Sequence, residues 1–128
     1  AGFHVPQTPY KLPARVETAE EIARAFIVQR KLKLAPGLLI SNPVSQGIDP
    51  LTLESWLEVA HERVRRHETS GKDVTPFLLS QLAEISNNKS VEVNIRLLHE
   101  NAALAAKVAL ALAHLRRQAQ NRSMKAGS

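Results

Sequence analysis

The 128-residue sequence contains no cysteine. That absence excludes disulfides, zinc–thiolate centres and thiol catalysis together. Aromatic residues make up only 4%, so a core must rest on Leu, Ile, Val and Ala. No apolar run reaches the roughly 18 residues that argue for a membrane span, and no secretory leader is visible. These features lead us to expect an intracellular chain with no membrane partner. A Gly-x-Ser-x-Gly nucleophile elbow is missing. A phosphate loop is missing too: Gly71-Lys72-Asp73 lacks the upstream glycine and carries Asp where Ser or Thr should stand. A surface turn is the simpler reading. His61-Glu62 with His67 fails the zinc-protease spacing. Histidines six apart point roughly 120° away from each other on a helix.

Hydrophobic residues make up 44%, enough for one modest core. The net charge of +5 comes from 17 basic and 12 acidic residues. Part of the excess sits in Arg116, Arg117, Arg122 and Lys125. Nucleic-acid binding favours such charge interleaved with aromatics, and no aromatic follows Phe77. We therefore expect no nucleic-acid partner and read 116–128 as a basic, frayed tail. The chain opens at Ala1 without Met and closes in Lys125-Ala126-Gly127-Ser128. Those edges suit a fragment or a mature product, and residues 1–128 read as a single partial domain.

Residues 1–16 contain Pro6, Pro9 and Pro13 and read as an extended arm, with at most a short strand at Phe3-His4-Val5. Thr18-Ala19-Glu20-Glu21 matches a capping box. It predicts a helix from about Ala19 to Lys33 that buries Ile22, Phe26 and Ile27 and stops at Pro36-Gly37. Leu38-Leu39-Ile40-Ser41 is an unbroken apolar run between turn signals. It reads as a strand buried on both faces, as in a parallel sheet, or else as helix or loop. Asp49 as cap with Pro50 opens a helix whose stripe is Leu53, Trp56, Leu57, Ala60 and Val64, ending near Ser70-Gly71. Thr75-Pro76 repeats the device for a short helix to about Ile85. Asn87-Asn88 breaks it, and Ser90 caps a last long helix. The expected fold class is α/β: about four helices and one or two short buried strands, forming a mostly helical segment of an α/β/α sandwich. A doubly buried strand needs neighbours for its backbone groups, and this chain offers almost none. Most of the sheet is therefore expected to come from elsewhere.

The last helix, SVEVNIRLLHENAALAAKVALALAHL, carries amides within its apolar pattern. Asn94 and Asn101 are seven apart and return to nearly the same side, with Leu97 and Leu98 between them. Asn94 falls in the expected first turn, on the side that Leu97, Leu98, Leu104 and Val108 suggest is buried. A buried amide without a partner costs about 1–3 kcal/mol, and helix N-termini favour anions. Asn94 therefore either faces a phosphate-bearing ligand or bonds a neighbouring loop. Asn42 ends the expected strand, where ligands gather in open α/β sheets. Turn chemistry at Asn42-Pro43 is the equal alternative. The carboxylates Glu54, Glu58, Glu62 and Glu84 fall on polar helical faces and read as solvated charges.

GFHVP with PARVETAEEIARAF, then GLLISNPV, then DVTPFLL, then KSVEVNIRLLHENAALAAKVA follow one another in the order of a single family. Over about Gly2 to Leu115 the chain resembles the pseudouridine-5'-phosphate glycosidases, also called indigoidine-synthase-A-like proteins. It matches the C-terminal part of their catalytic domain. The resemblance implies an α/β/α fold, a trimeric homo-oligomer and manganese. It also implies a small-molecule nucleotide substrate, pseudouridine 5'-phosphate, split at its C–C glycosidic bond to uracil and ribose 5-phosphate. In that family a lysine forms an imine with the opened sugar, a glutamate handles protons and an aspartate holds the metal. All three lie upstream, and nothing here matches their motifs. The chain alone is therefore expected to be inactive and to bind no manganese. Its partner would be the rest of the catalytic domain or a second chain. The family's N-I-x-L asparagine falls on Asn94, which the resemblance makes substrate-facing. Asn101 matches the following N-A pair, where packing or helix-pairing is the expected role. Ser45-Gln46-Gly47 departs from the family's more acidic and longer loop. The alternative is a non-catalytic helical binding or scaffold module from a degenerate or split relative.

Overall fold

The computed structural model describes residues 4–34, 37–68 and 70–126. Four α-helices carry it: α1 (Ala19–Lys31), α2 (Pro50–Arg66), α3 (Val74–Ile85) and α4 (Lys89–Ala126), with a 3₁₀ turn at Gly71–Asp73 before α3. Two compact units emerge, one from residues 4–9 and 42–99, the other from 10–41 and 100–126.

Helix α1 starts as its sequence dictates. Thr18 Oγ1 accepts the Glu21 N–H at 3.2 Å, and the Glu21 carboxylate accepts the N–H groups of Glu17 and Thr18 at 2.8 and 3.0 Å. Those donors, Glu17 first, hold the Glu21 carboxyl below its ordinary range. The helix ends at Lys31, and Lys33 turns left-handed (φ 54°), so the stop comes before Pro36. Pro36 itself lies outside the described residues. Ile22 and Ala23 are buried, whereas Phe26 and Ile27 are half-buried.

In the first unit, Asp49 caps α2 by accepting the Thr52 N–H at 2.9 Å, with Pro50 in the first turn. α2 ends at Arg66, short of the expected Ser70-Gly71, with Glu68 left-handed after it. α2 and α3 pack together. Ala60, Val64 and Leu82 are buried, and Arg63 Nη1 donates to Gln81 Oε1 at 2.7 Å. The His67 and Phe77 rings lie 5.1 Å apart. His67 thus packs its ring against Phe77.

Three expectations are corrected. Leu38–Ser41 is neither strand nor buried: Leu39 is 95% exposed, and no strand occurs among the described residues. With no neighbouring strand to take up its N–H and C=O groups, an apolar run has no ladder to join. The strand at Phe3-His4-Val5 is also absent at His4 and Val5, while Phe3 lies outside the described residues. The caps of the last two helices sit earlier than expected. Thr75 and Pro76 lie inside the first turn of α3, because the 3₁₀ turn leads straight into Val74. Ser90 lies inside α4. Asn87 and Asn88 both adopt left-handed backbone (φ 49° and 64°), which breaks the chain between α3 and α4 as the sequence indicates. The capping hydroxyl is that of Ser86, which accepts the Ser90 N–H at 3.1 Å and pairs with the Ser90 hydroxyl at 3.0 Å. Helix α4 runs on through the basic stretch from Arg116 to Ala126.

Candidate functional site

The first three turns of α4 bury Ser90, Val93 and Leu97 to 3, 4 and 7% exposure. Val93 and Leu97 form a core with Val44 and Ile48, against which Leu53 and Trp56 pack. Val44 and Ile48 flank the Ser45-Gln46-Gly47 turn. That turn is held from two directions. Arg96 Nη1 donates to the Gln46 carbonyl at 2.9 Å, across fifty positions of sequence. From the N-terminal side, the His4 carbonyl accepts the Ile48 N–H at 2.7 Å. The His4 ring donates to the Ser90 backbone, closing the arm onto α4. Burial pushes the His4 pKa down, and this hydrogen bond pulls weakly the other way.

Gly47 is required here by close approach. A Cβ on it would stand 2.6 Å from the His4 carbonyl oxygen and 2.7 Å from Pro6 Cδ. Most of what it would meet is backbone, which cannot swing aside.

Asn94 sits beside this knot. It is half-buried, and its carboxamide has no hydrogen-bond partner among the described residues. α4 begins at Lys89, so Asn94 lies in the second turn, not the first. The free N–H groups of a helix start belong to its first four residues, so any anion attraction at Asn94 comes from its side chain. At roughly 100° per residue, Asn94 and Arg96 project about 200° apart, on opposite flanks of the Val93–Leu97 strip. Leu98, expected on the buried side, is 58% exposed. The buried strip is therefore narrower than the apolar pattern suggests, and Asn94 stands on its edge.

Asn42 is half-buried and partnered in the same unit. The strand-end argument for it falls with the strand, and Asn42-Pro43 forms no turn either. Asn101 is exposed and partnered, not packed inside. Asp49 is a capping carboxylate, kept below its ordinary range first by the Thr52 N–H and then by the Thr52 hydroxyl. Sequence reasoning missed the His4–Gly47–Arg96 arrangement. Its only local signal is a lone glycine, and its partners are 43 and 49 residues from it in the chain.

Chemically, a carboxamide offers two N–H donors and one carbonyl acceptor. It can bind and orient a sugar hydroxyl or a phosphate oxygen, and it supplies neither a proton nor an electron sink. Among the described residues no three His, Cys, Asp or Glu come together as a metal-holding group. The residues present therefore do not fit a metal centre of their own. No helix among them is long and apolar enough to cross a membrane.

The family model described as indigoidine synthase A like protein matches residues 1–111. A protein of Thermus thermophilus named pseudouridine-5'-phosphate glycosidase is 47% identical over 114 residues, covering 89% of this chain and 40% of the relative. Proteins of the same name from Kosmotoga olearia and Thermosipho africanus are each 38% identical, over 112 and 100 residues. These matches cover 86% and 77% of this chain, and 39% and 34% of the relatives. The chain thus spans about 40% of the length of the curated relatives it matches.

Proposed function

We propose that this chain, which belongs to the indigoidine-synthase-A-like family, is the part of a pseudouridine-5'-phosphate glycosidase that forms one wall of the substrate pocket. The reaction is cleavage of the C–C glycosidic bond of pseudouridine 5'-phosphate to uracil and ribose 5-phosphate. The observation that carries this reading is Asn94. It is a half-buried amide with no partner among the described residues, at the edge of the buried strip of α4, within the N-I-x-L segment whose asparagine the family resemblance makes substrate-facing. Its role is binding and orientation of the sugar phosphate through two donors and an acceptor.

The bond-breaking groups are assigned to the remaining length of the family chain. Breaking a C–C bond needs an electron sink and a proton donor, and by the family resemblance the lysine and glutamate that supply them lie upstream of this segment. Manganese belongs to the same proposal, with its ligand outside this chain. A homo-oligomer, trimeric by the family resemblance, completes the assembly.

Two measurements test the reading. The 128-residue chain incubated with pseudouridine 5'-phosphate and manganese is expected to release no uracil above blank; sustained release would show that the catalytic groups are here after all. In the full-length protein, Asn94→Ala is expected to lower kcat/KM about tenfold or more, as the loss of a hydrogen bond of about 1–3 kcal/mol implies. Its Tm should stay within a few degrees. Normal turnover in that variant, or a loss explained by unfolding, removes Asn94 from the pocket and the reading with it.

A further inference from the structure

We infer that Arg96 is a positioning residue for this site, and that it works as the closing tie of a clasp formed by the N-terminal arm, the Ser45–Gly47 turn and the start of α4. The inference rests on the substrate-facing reading of Asn94 and adds what holds that residue in place.

Residues two apart on a helix do not face one another, so Arg96 cannot reach the group that Asn94 binds. Its guanidinium is engaged on the other flank, with the Gln46 carbonyl at 2.9 Å. Between the two flanks runs the buried pair Val93 and Leu97, seated on Val44 and Ile48. The turn therefore wraps the side of α4 away from Asn94, and Arg96 lashes it there.

The Gln46 carbonyl is tied to α4 through Arg96, the Ile48 N–H is tied to the arm through the His4 carbonyl at 2.7 Å, and the His4 ring is tied back to Ser90 on α4. These three links form a ring of contacts: helix to turn, turn to arm, arm to helix. Gly47 lies where turn and arm cross, with no room for a side chain. A ring of this kind fixes how far the first turns of α4 rotate against the Val44–Ile48 core. That rotation sets where the Asn94 carboxamide points.

A carboxamide binds through oriented donors and an acceptor, so a small rotation of its helix weakens binding without removing any contacting group. Loosening the clasp should raise KM more than it lowers kcat, because the bond-breaking groups are assigned outside this chain. A residue that only supports folding lowers Tm and the amount of active protein, leaving the KM of the folded fraction unchanged.

The test is steady-state kinetics on the full-length protein with pseudouridine 5'-phosphate, comparing Arg96→Ala, Arg96→Lys, Gly47→Ala and the control Asn94→Ala. Arg96→Ala is expected to raise KM several-fold with kcat within about twofold of wild type. Arg96→Lys keeps one cationic donor for a single carbonyl and should recover most of that loss. Gly47→Ala forces turn and arm apart and should raise KM in the same direction; if it fails to fold, the arginine pair decides alone. A wild-type KM in Arg96→Ala, with Asn94→Ala impaired, overturns the clasp and leaves the pocket reading standing. An equal KM rise in Arg96→Ala and Arg96→Lys also overturns it, because the hydrogen bond to Gln46 would not be what matters. A silent Asn94→Ala removes the pocket reading and the clasp's function together.

Discussion

From Lys89 to His99, α4 sends Ser90, Val93 and Leu97 into the interior, whereas from Glu100 onward none of its described residues is fully buried. Leu104 and Val108 are half-buried, and Leu110 is 71% exposed. One continuous helix is therefore held in two ways. Its first turns are fixed by packing on Val44 and Ile48 and by ties to the turn and arm. Its far half is rich in alanine, with Ala102, Ala103, Ala105, Ala106, Ala109, Ala111 and Ala113. Alanine loses no side-chain rotamer freedom in a helix, so local propensity does more of the work there. A residue that must point in one direction belongs in the packed part, because propensity keeps a helix helical without fixing its rotation. Asn94 lies in the packed part and Asn101 beyond it.

The largest effect that probes this contrast is a pair of truncations. Leu97→Ala should cost about 2–5 kcal/mol, since it opens a cavity against Val44 and Ile48. Leu104→Ala, half-buried to begin with, should cost about 1 kcal/mol. Urea melts of both variants check this; equal losses would mean that the two halves are held alike. A smaller effect is expected from Ala105→Gly in the exposed far half, about 1 kcal/mol by propensity alone. It should show as reduced helicity by circular dichroism while the fluorescence of Trp56, beside the near core, keeps its transition. A shifted Trp56 transition would couple the halves.

The smallest effect is a pH dependence at the near end. His4 has its pKa held below the ordinary value of 6.5 by burial. The unfolded chain therefore binds the proton more readily than the folded one, and stability falls as pH drops below about 6.5 toward the folded value. Above that range the ring is neutral in both states and contributes no slope. His4→Gln should flatten this part of the stability curve, compared by urea melts at pH 5 and pH 7.5. An unchanged slope would mean that the ring does not seat the arm.

The four helices and most of their breaks were legible in the sequence, because caps and breakers act within a few residues. Thr18 with Glu21, Asp49 with Pro50, and the Asn87-Asn88 break carry their partners or their backbone preference locally. Helix periodicity likewise placed Ile22, Ala60, Val64 and Leu97 inside. Asn94 stood out as an amide out of keeping with its face, and the substrate-facing role proposed for it is what the family resemblance implies. Leu38–Ser41 shows where local reading stops. Its apolar run suits a buried strand, but strand or loop is decided by whether another backbone lies alongside to share hydrogen bonds, and no stretch of four residues encodes that. Only the tertiary structure could reveal the clasp: the Arg96 bond to Gln46 spans fifty positions, and Gly47 is forced by an arm that crosses it from more than forty residues away. Sequence fixes what depends on neighbours along the chain, and tertiary structure decides what depends on neighbours in space.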